Sequence, residues 1–130
     1  RTSAQEMEQV AAAVADRLNR YEGKGRVKAL VPLRGFSSLS VQGGPLHDPA
    51  ADRAFSVALR SHLDPEIEFA EVDADINSPI FARAVTQALA AFGITSWVDD
   101  GRLQVVIEAD EDWDVFDAVI DLIDRRYPPT

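Results

Sequence analysis

The amino-acid sequence predicts an α/β domain: a three-layer, Rossmann-like, partly parallel sheet with helices on both faces, followed by a C-terminal β-hairpin and helix. Three observations carry this expectation. Apolar residues recur with helical period in three stretches, two short apolar runs separate those stretches, and a cap-then-proline pair opens two of the helices. Helix, strand, helix, strand, helix is a rhythm that places parallel strands side by side through right-handed crossovers.

The first helix spans Gln5 to Tyr21, where Met7, Val10, Ala11, Val14, Leu18 and Tyr21 fall on one stripe. Ser3 with Glu6 makes a capping-box pattern at its start, and Gly23 and Gly25 end it. Val27 to Leu33, reading VKALVPL, is a strand of the kind buried on both faces, with Pro32 near its end where a ladder N–H can be spared. Arg34 to His47 follows neither period and reads as a long loop rich in Gly and Ser. Asp48 and Pro49 then open a second helix whose buried stripe is Ala51, Ala54, Phe55, Ala58, Leu59 and Leu63, stopped by Asp64 and Pro65. Ile67 to Val72 is the second strand, running into the loop Asp73 to Asn77. Ser78 and Pro79 start a third helix with Phe81, Ala84, Val85, Ala88, Leu89 and Phe92 on its stripe, closed by Gly93. ITSWV and RLQVVIE flank Asp99-Asp100-Gly101 as a hairpin, and a last helix covers Asp112 to about Tyr127, with Trp97 and Trp113 packing between the two.

The chain of 130 residues suits one domain, 1–130. It has no cysteine, which removes disulfides, thiolate nucleophiles and Cys-type zinc sites, and its two histidines, His47 and His62, are isolated. A net charge of −9 argues against a nucleic-acid-binding surface. The sequence lacks a membrane-spanning apolar run or a secretion signal, so a cytoplasmic location is expected. The acidity is uneven: up to Phe92 there are 10 basic and 12 acidic residues, and from Gly93 onward 3 and 10. Residues 93–130 therefore read as an acidic hairpin-helix extension. Two buried strands and a hairpin make a thin sheet for four helices, so the chain is expected to be the C-terminal fragment of a larger domain, and not a bare monomer.

Three segments carry a family resemblance: the opening RT with a helix ending in RLNR, the long run VKALVPLRGFSSLSVQGGPLHDPAADRAF, and EVDADINSPIFARAV. Over 1–92 the chain resembles the C-terminal end of the tomato mosaic virus resistance protein-like ATP-binding family, two-domain α/β proteins of bacteria, fungi and plants. The family pattern leads one to expect His where Asp75 stands and an aromatic where Leu46 stands. The resemblance implies ATP or related nucleotide binding, with magnesium accompanying the nucleotide, and self-association into a homo-oligomer; it implies no particular reaction.

In an open α/β sheet, ligands sit at the carboxyl ends of the strands. The loops Arg34 to Asp48 and Asp73 to Asn77 leave such ends, and nominate Arg34, Gly35, Ser37, Ser38, Gly43, Gly44, Asp48, Asp75 and Asn77 as ligand-binding residues. A guanidinium, a glycine allowing close backbone approach and two hydroxyls can hold a phosphate or carboxylate. The competing reading is a plain connection in which Arg34 pairs with a carboxylate such as Asp75. Asp48 and Asp52 could hold magnesium, although capping and helix-dipole compensation account for both. Asp73, Asp75 and Asn77 form either a carboxylate–amide cluster or an Asx-type turn before the Ser78 cap. No Ser or Cys motif surrounds His47, so no catalytic residue is assigned. The expected function is a nucleotide-binding module without independent catalysis. An interaction domain using the acidic hairpin and last helix is the alternative, and a hydrolase or ligase using Asp48, Asp75 and magnesium comes third.

Overall fold

The computed structural model describes residues 1–100 and 102–106. Along them run α1 (Ala4–Asn19), a single 3-10 turn (Lys24–Arg26), β1 (Lys28–Pro32), α2 (Pro49–His62), β2 (Glu68–Val72), α3 (Pro79–Ala91), β3 (Ser96–Asp99) and β4 (Arg102–Val105). The fold is α/β as the sequence predicts: a parallel β1–β2 pair served by three helices, plus an antiparallel β3–β4 hairpin. The helix expected over Asp112 to Tyr127, with Trp113, lies outside the described residues.

Each helix begins where a short polar side chain can take an unpaired amide. The Ser3 hydroxyl accepts from the Glu6 N–H while the Glu6 carboxylate accepts from the Ser3 N–H, closing the capping box. Asp48 accepts from Ala51 N–H at 3.1 Å, and Ser78 from Ile80 N–H at 3.1 Å. Proline follows at the first helical position in both α2 and α3, where its missing N–H costs nothing. Each such cap contributes about 1 kcal/mol.

One face of the parallel pair carries the core. Ala11 and Ala15 of α1, Ala58 and Leu59 of α2, Leu63, Ile67 and Val31 form a buried cluster, with Val14, Leu18, Val27, Ala29, Phe55 and Phe69 packed around it. The alanines matter because they let α1 and α2 approach closely, so that both helices lie over the same face. Strand alternation sends Val27, Ala29 and Val31 to this face with Ile67 and Phe69 beside them, in the register Ala29 opposite Phe69. Asn19 ties the helix ends together: its Nδ2 donates to the His62 carbonyl at 2.8 Å and its Oδ1 accepts from the Asp64 N–H at 2.7 Å. The Arg60 guanidinium lies over the Phe69 ring, 4.7 Å from its centre.

Several expectations are corrected. Val10 and Tyr21 are exposed rather than part of the buried stripe of α1; the α1 residues buried in the core cluster with α2 are Ala11 and Ala15. Strand β1 is shorter than expected by Val27 and Leu33, and β2 by Ile67; β1 is not buried on both faces, since Lys28, Ala29 and Leu30 remain half-buried and only Val31 and Pro32 are buried. The helix α3 contacts β1, β2 and β3, but its whole apolar stripe is no more than half-buried. The expected α2 stripe holds, with Ala51, Ala58, Leu59 and Leu63 buried.

Candidate functional site

The loops that leave β1 and β2 lie side by side because the parallel ladder continues past the strands. Leu33 N–H donates to Val72 C=O at 2.9 Å, Arg34 N–H to Ala74 C=O at 3.1 Å, and Ile76 N–H to Gly35 C=O at 3.0 Å. The two segments nominated by the sequence are thus brought together at the carboxyl end of the sheet. Gly35 lets the first loop fold back closely on itself. Its φ of +137° lies in a region that side chains disfavour, and a Cβ there would stand 3.1 Å from the Ser40 carbonyl oxygen and 3.1 Å from Val41 Cγ1.

Phe36 anchors the first loop by stacking edge-on against Phe55 of α2, with ring centres 5.2 Å apart. Beyond it, Ser37 and Ser40 close a tight knot. Ser37 N–H donates to the buried Ser40 hydroxyl at 3.0 Å, and the two hydroxyls are 3.1 Å apart. Leu46 N–H reaches back to Leu39 C=O at 2.9 Å, and Gly44 sits where a side chain would run into that same Leu39 carbonyl. His47 is exposed at the loop's end, with Nδ1 3.3 Å from the Ser40 carbonyl oxygen. Ser38 and Gly43 are exposed, and among the described residues their amides have no protein acceptor.

Arg34 does not pair with Asp75. It makes a two-point contact with Asp73, Nε to Oδ1 at 2.5 Å and Nη2 to Oδ2 at 3.0 Å, both side chains largely exposed. The Arg34 hydrogen bond holds the Asp73 carboxyl below its ordinary value, and the same bond raises Arg34. Asp75 instead accepts from Asn77 N–H at 2.9 Å, with Ser78 N–H donating to its carbonyl at 3.0 Å. Asp73, Asp75 and Asn77 therefore form an Asx turn leading to the α3 cap rather than a carboxylate–amide cluster. Asp48 is engaged as the α2 cap, so an anion at that helix end would meet a carboxylate already holding an amide.

Two polar contacts escaped sequence reasoning. Asp52, one turn into α2 and 4% exposed, is paired with the Arg1 guanidinium, which also donates to the Asp48 carbonyl at 3.2 Å. Ser56, 1% exposed, donates to the Glu71 carboxylate at 2.6 Å and ties α2 to β2. Each joins positions far apart in sequence, and the only signal was a polar residue on a helix face otherwise lined by alanine and leucine. Among the described residues no group of three or more His, Cys, Asp or Glu side chains converges as a metal site. A shallow groove of about 550 Å³ along α1 and α2, lined by Glu8, Arg53, Ser61 and His62 among others, lies away from the strand ends; its open, mixed lining converges on nothing.

The depressed carboxyls each add a small part to the acid limb of stability. Asp73 is lowered chiefly by Arg34, Asp64 by the Glu66 backbone N–H and then by Lys24, and Glu6 by the Ser3 hydroxyl. A carboxyl lowered in the folded state favours folding at pH above its ordinary value of 3.8 for Asp or 4.5 for Glu, and that contribution is lost as pH falls through the folded value. The melting temperature is therefore expected to hold from pH 7 to about pH 5 and to fall below it. Salt should erode the exposed Arg34–Asp73 part first, and Asp64→Asn should flatten the limb. An unchanged limb in Asp64→Asn would contradict the assignment.

A family model for the uncharacterised protein family (UPF0261) C-terminal domain matches residues 1–93. A UPF0261 protein of Brucella suis biovar 1 (strain 1330) is 39% identical over 92 residues, covering 71% of this chain and 20% of its own length, and one of Brucella melitensis biotype 1 (strain 16M) matches equally. A UPF0261 protein of Rhizobium meliloti (strain 1021) is 32% identical over 90 residues, covering 68% of this chain and 22% of its own. The chain spans about a fifth of the length of these curated relatives. Both strand-end loops fall within the matched residues, and the chain belongs to the uncharacterised protein family UPF0261, through that family's C-terminal domain.

Proposed function

We propose that this domain holds the phosphate end of a nucleotide at its two strand-end loops, without catalysis of its own. The identity of the ligand as ATP, accompanied by magnesium, rests on the likeness of 1–92 to the tomato mosaic virus resistance protein-like ATP-binding family. The observation that carries the reading is the joining of the two loops across the carboxyl ends of parallel strands, where α/β sheets bind ligands. The donors suit a phosphate: the bidentate contact to Asp73 uses Nε and Nη2 of Arg34 and leaves Nη1, and Ser38 adds a hydroxyl and an amide that has no acceptor among the described residues. Asp73 is the residue a phosphate would compete with. Asp48 and Asp75 shape the site through their backbone contacts rather than by touching the ligand.

Thermal melting of the longer UPF0261 polypeptide with ATP and magnesium tests this. At 100 times its dissociation constant a ligand stabilises by about 2.7 kcal/mol. Arg34→Ala is expected to melt close to the parent without ligand and to lose at least about tenfold in affinity, since its exposed ion pair contributes little to folding. Arg34→Lys should recover only part, lacking the planar fork. Asp73→Asn should tighten binding by removing the competitor. No ligand shift in the parent, or equal shifts in all three variants, would sink the assignment.

A second reading rests on the hairpin, where Trp97, Val98, Leu103 and Val105 are each more than 40% exposed. They suit a protein–protein or self-association surface. Trp97→Ala would then weaken association in light scattering and leave the ATP response intact.

A further inference from the structure

We propose that the open edge of β1 is the seat of a further parallel strand, supplied by the polypeptide that leads into α1 in the longer UPF0261 proteins. The backbone of β1 defines the edge. With Leu33 N–H on Val72 C=O at 2.9 Å and the register Val31 opposite Glu71 and Pro32 opposite Val72, the polar groups of Ala29, Val31 and Leu33 face β2. In a parallel ladder the intervening residues face the other way. Lys28 and Leu30 therefore present N–H and C=O groups away from β2, and Pro32 presents a carbonyl alone. Among the described residues no strand pairs with them. Pro32, having no N–H, marks where such a ladder ends.

The positions of α1 and α2 select the occupant. Both helices pack on the same face, with Ala11 and Ala15 of α1 and Ala58 and Leu59 of α2 in one cluster with Val31. Crossovers between parallel strands are right-handed in about 98% of cases. On that face, α2 carries the chain from β1 to β2. A strand joined to β1 by α1 over the same face, with the same hand, must lie on the side of β1 opposite β2, which is the open edge. A second copy of the chain pairing there across a two-fold axis would run antiparallel and leave α1 with no strand to cross from. The lengths agree, because the chain spans 20% and 22% of the relatives that it matches. With α1 and α2 on one side and α3 touching both strands, the incoming strand should be apolar on both faces.

Residue-resolved amide hydrogen exchange on this chain, and on a full-length UPF0261 polypeptide bearing this domain, tests the proposal. In the longer polypeptide Lys28 and Leu30 are expected to exchange as slowly as Ala29 and Val31. In the 130-residue chain they are expected to exchange at least tenfold faster than those neighbours at every concentration. Fast exchange of Lys28 and Leu30 in the longer polypeptide would overturn the proposal. Protection in the short chain that fades on dilution would give the edge to a second copy, and protection independent of dilution would give it to the chain's own residues; either result overturns it too.

Discussion

Leu59→Ala is expected to lower the stability of the domain by about 3 kcal/mol, within the range for truncating a buried leucine. Leu59 is 3% exposed and sits in the cluster that joins α1, α2 and Val31. Its loss removes transfer energy and opens a cavity that the close-packed Ala11 and Ala15 backbones cannot collapse into. In a domain of this size the melting temperature should fall by roughly 10 °C. Val57→Ala is the control: two residues away on the same helix but 57% exposed, it should change stability by less than about 0.5 kcal/mol. Similar losses in both variants, read by chemical denaturation, would place the core elsewhere.

The second large effect is asymmetric. Arg1→Ala leaves the Asp52 carboxylate, 4% exposed, without its partner, whereas Asp52→Ala leaves a guanidinium that is already 22% exposed and free to turn to water. Breaking a buried pair by removing one member costs about 3 to 5 kcal/mol, and the access of water to Arg1 reduces this to about 2 kcal/mol. Asp52→Ala should cost less, and the double variant less than Arg1→Ala alone, because it no longer buries an unpaired charge. If Asp52→Ala proves the more damaging, the carboxylate serves the first turn of α2 and the ion pair is incidental.

Local signals were legible and long-range ones were not. Ser3, Asp48 with Pro49, and Ser78 with Pro79 mark helix starts because a cap is decided within four residues, and the structure places helices at all three. The Asx turn at Asp75 is read in the same way. The partner of Arg34 is not local: Asp73 and Asp75 are equally good carboxylates in sequence. The choice falls to Asp73 because the ladder runs on through Arg34 and Ala74, while Asp75 is turned to its own Asn77 amide. Periodicity also overstated burial. Val10 and Tyr21 fit the α1 stripe as well as Ala11 and Ala15 do, but the approach of α2 follows the small residues, which no count of apolar positions can show. The convergence of the two loops was expected from strand order alone, whereas the knot of Ser37 and Ser40, and the Phe36–Phe55 contact that fixes it, required the packed chain.

If the two strand-end loops form one phosphate-binding site, amide chemical-shift mapping of a longer UPF0261 polypeptide during titration with ATP and magnesium will register both loops together. The perturbed amides are expected to group at Gly35, Ser37, Ser38 and Gly43 and, on the second loop, at Asp75 and Asn77, with the Arg34 side-chain resonances moving as Asp73 is displaced. Saturating perturbations along α1 and α2 around Glu8, Arg53 and His62 with the strand-end loops unmoved, or no perturbation at either place, would contradict it.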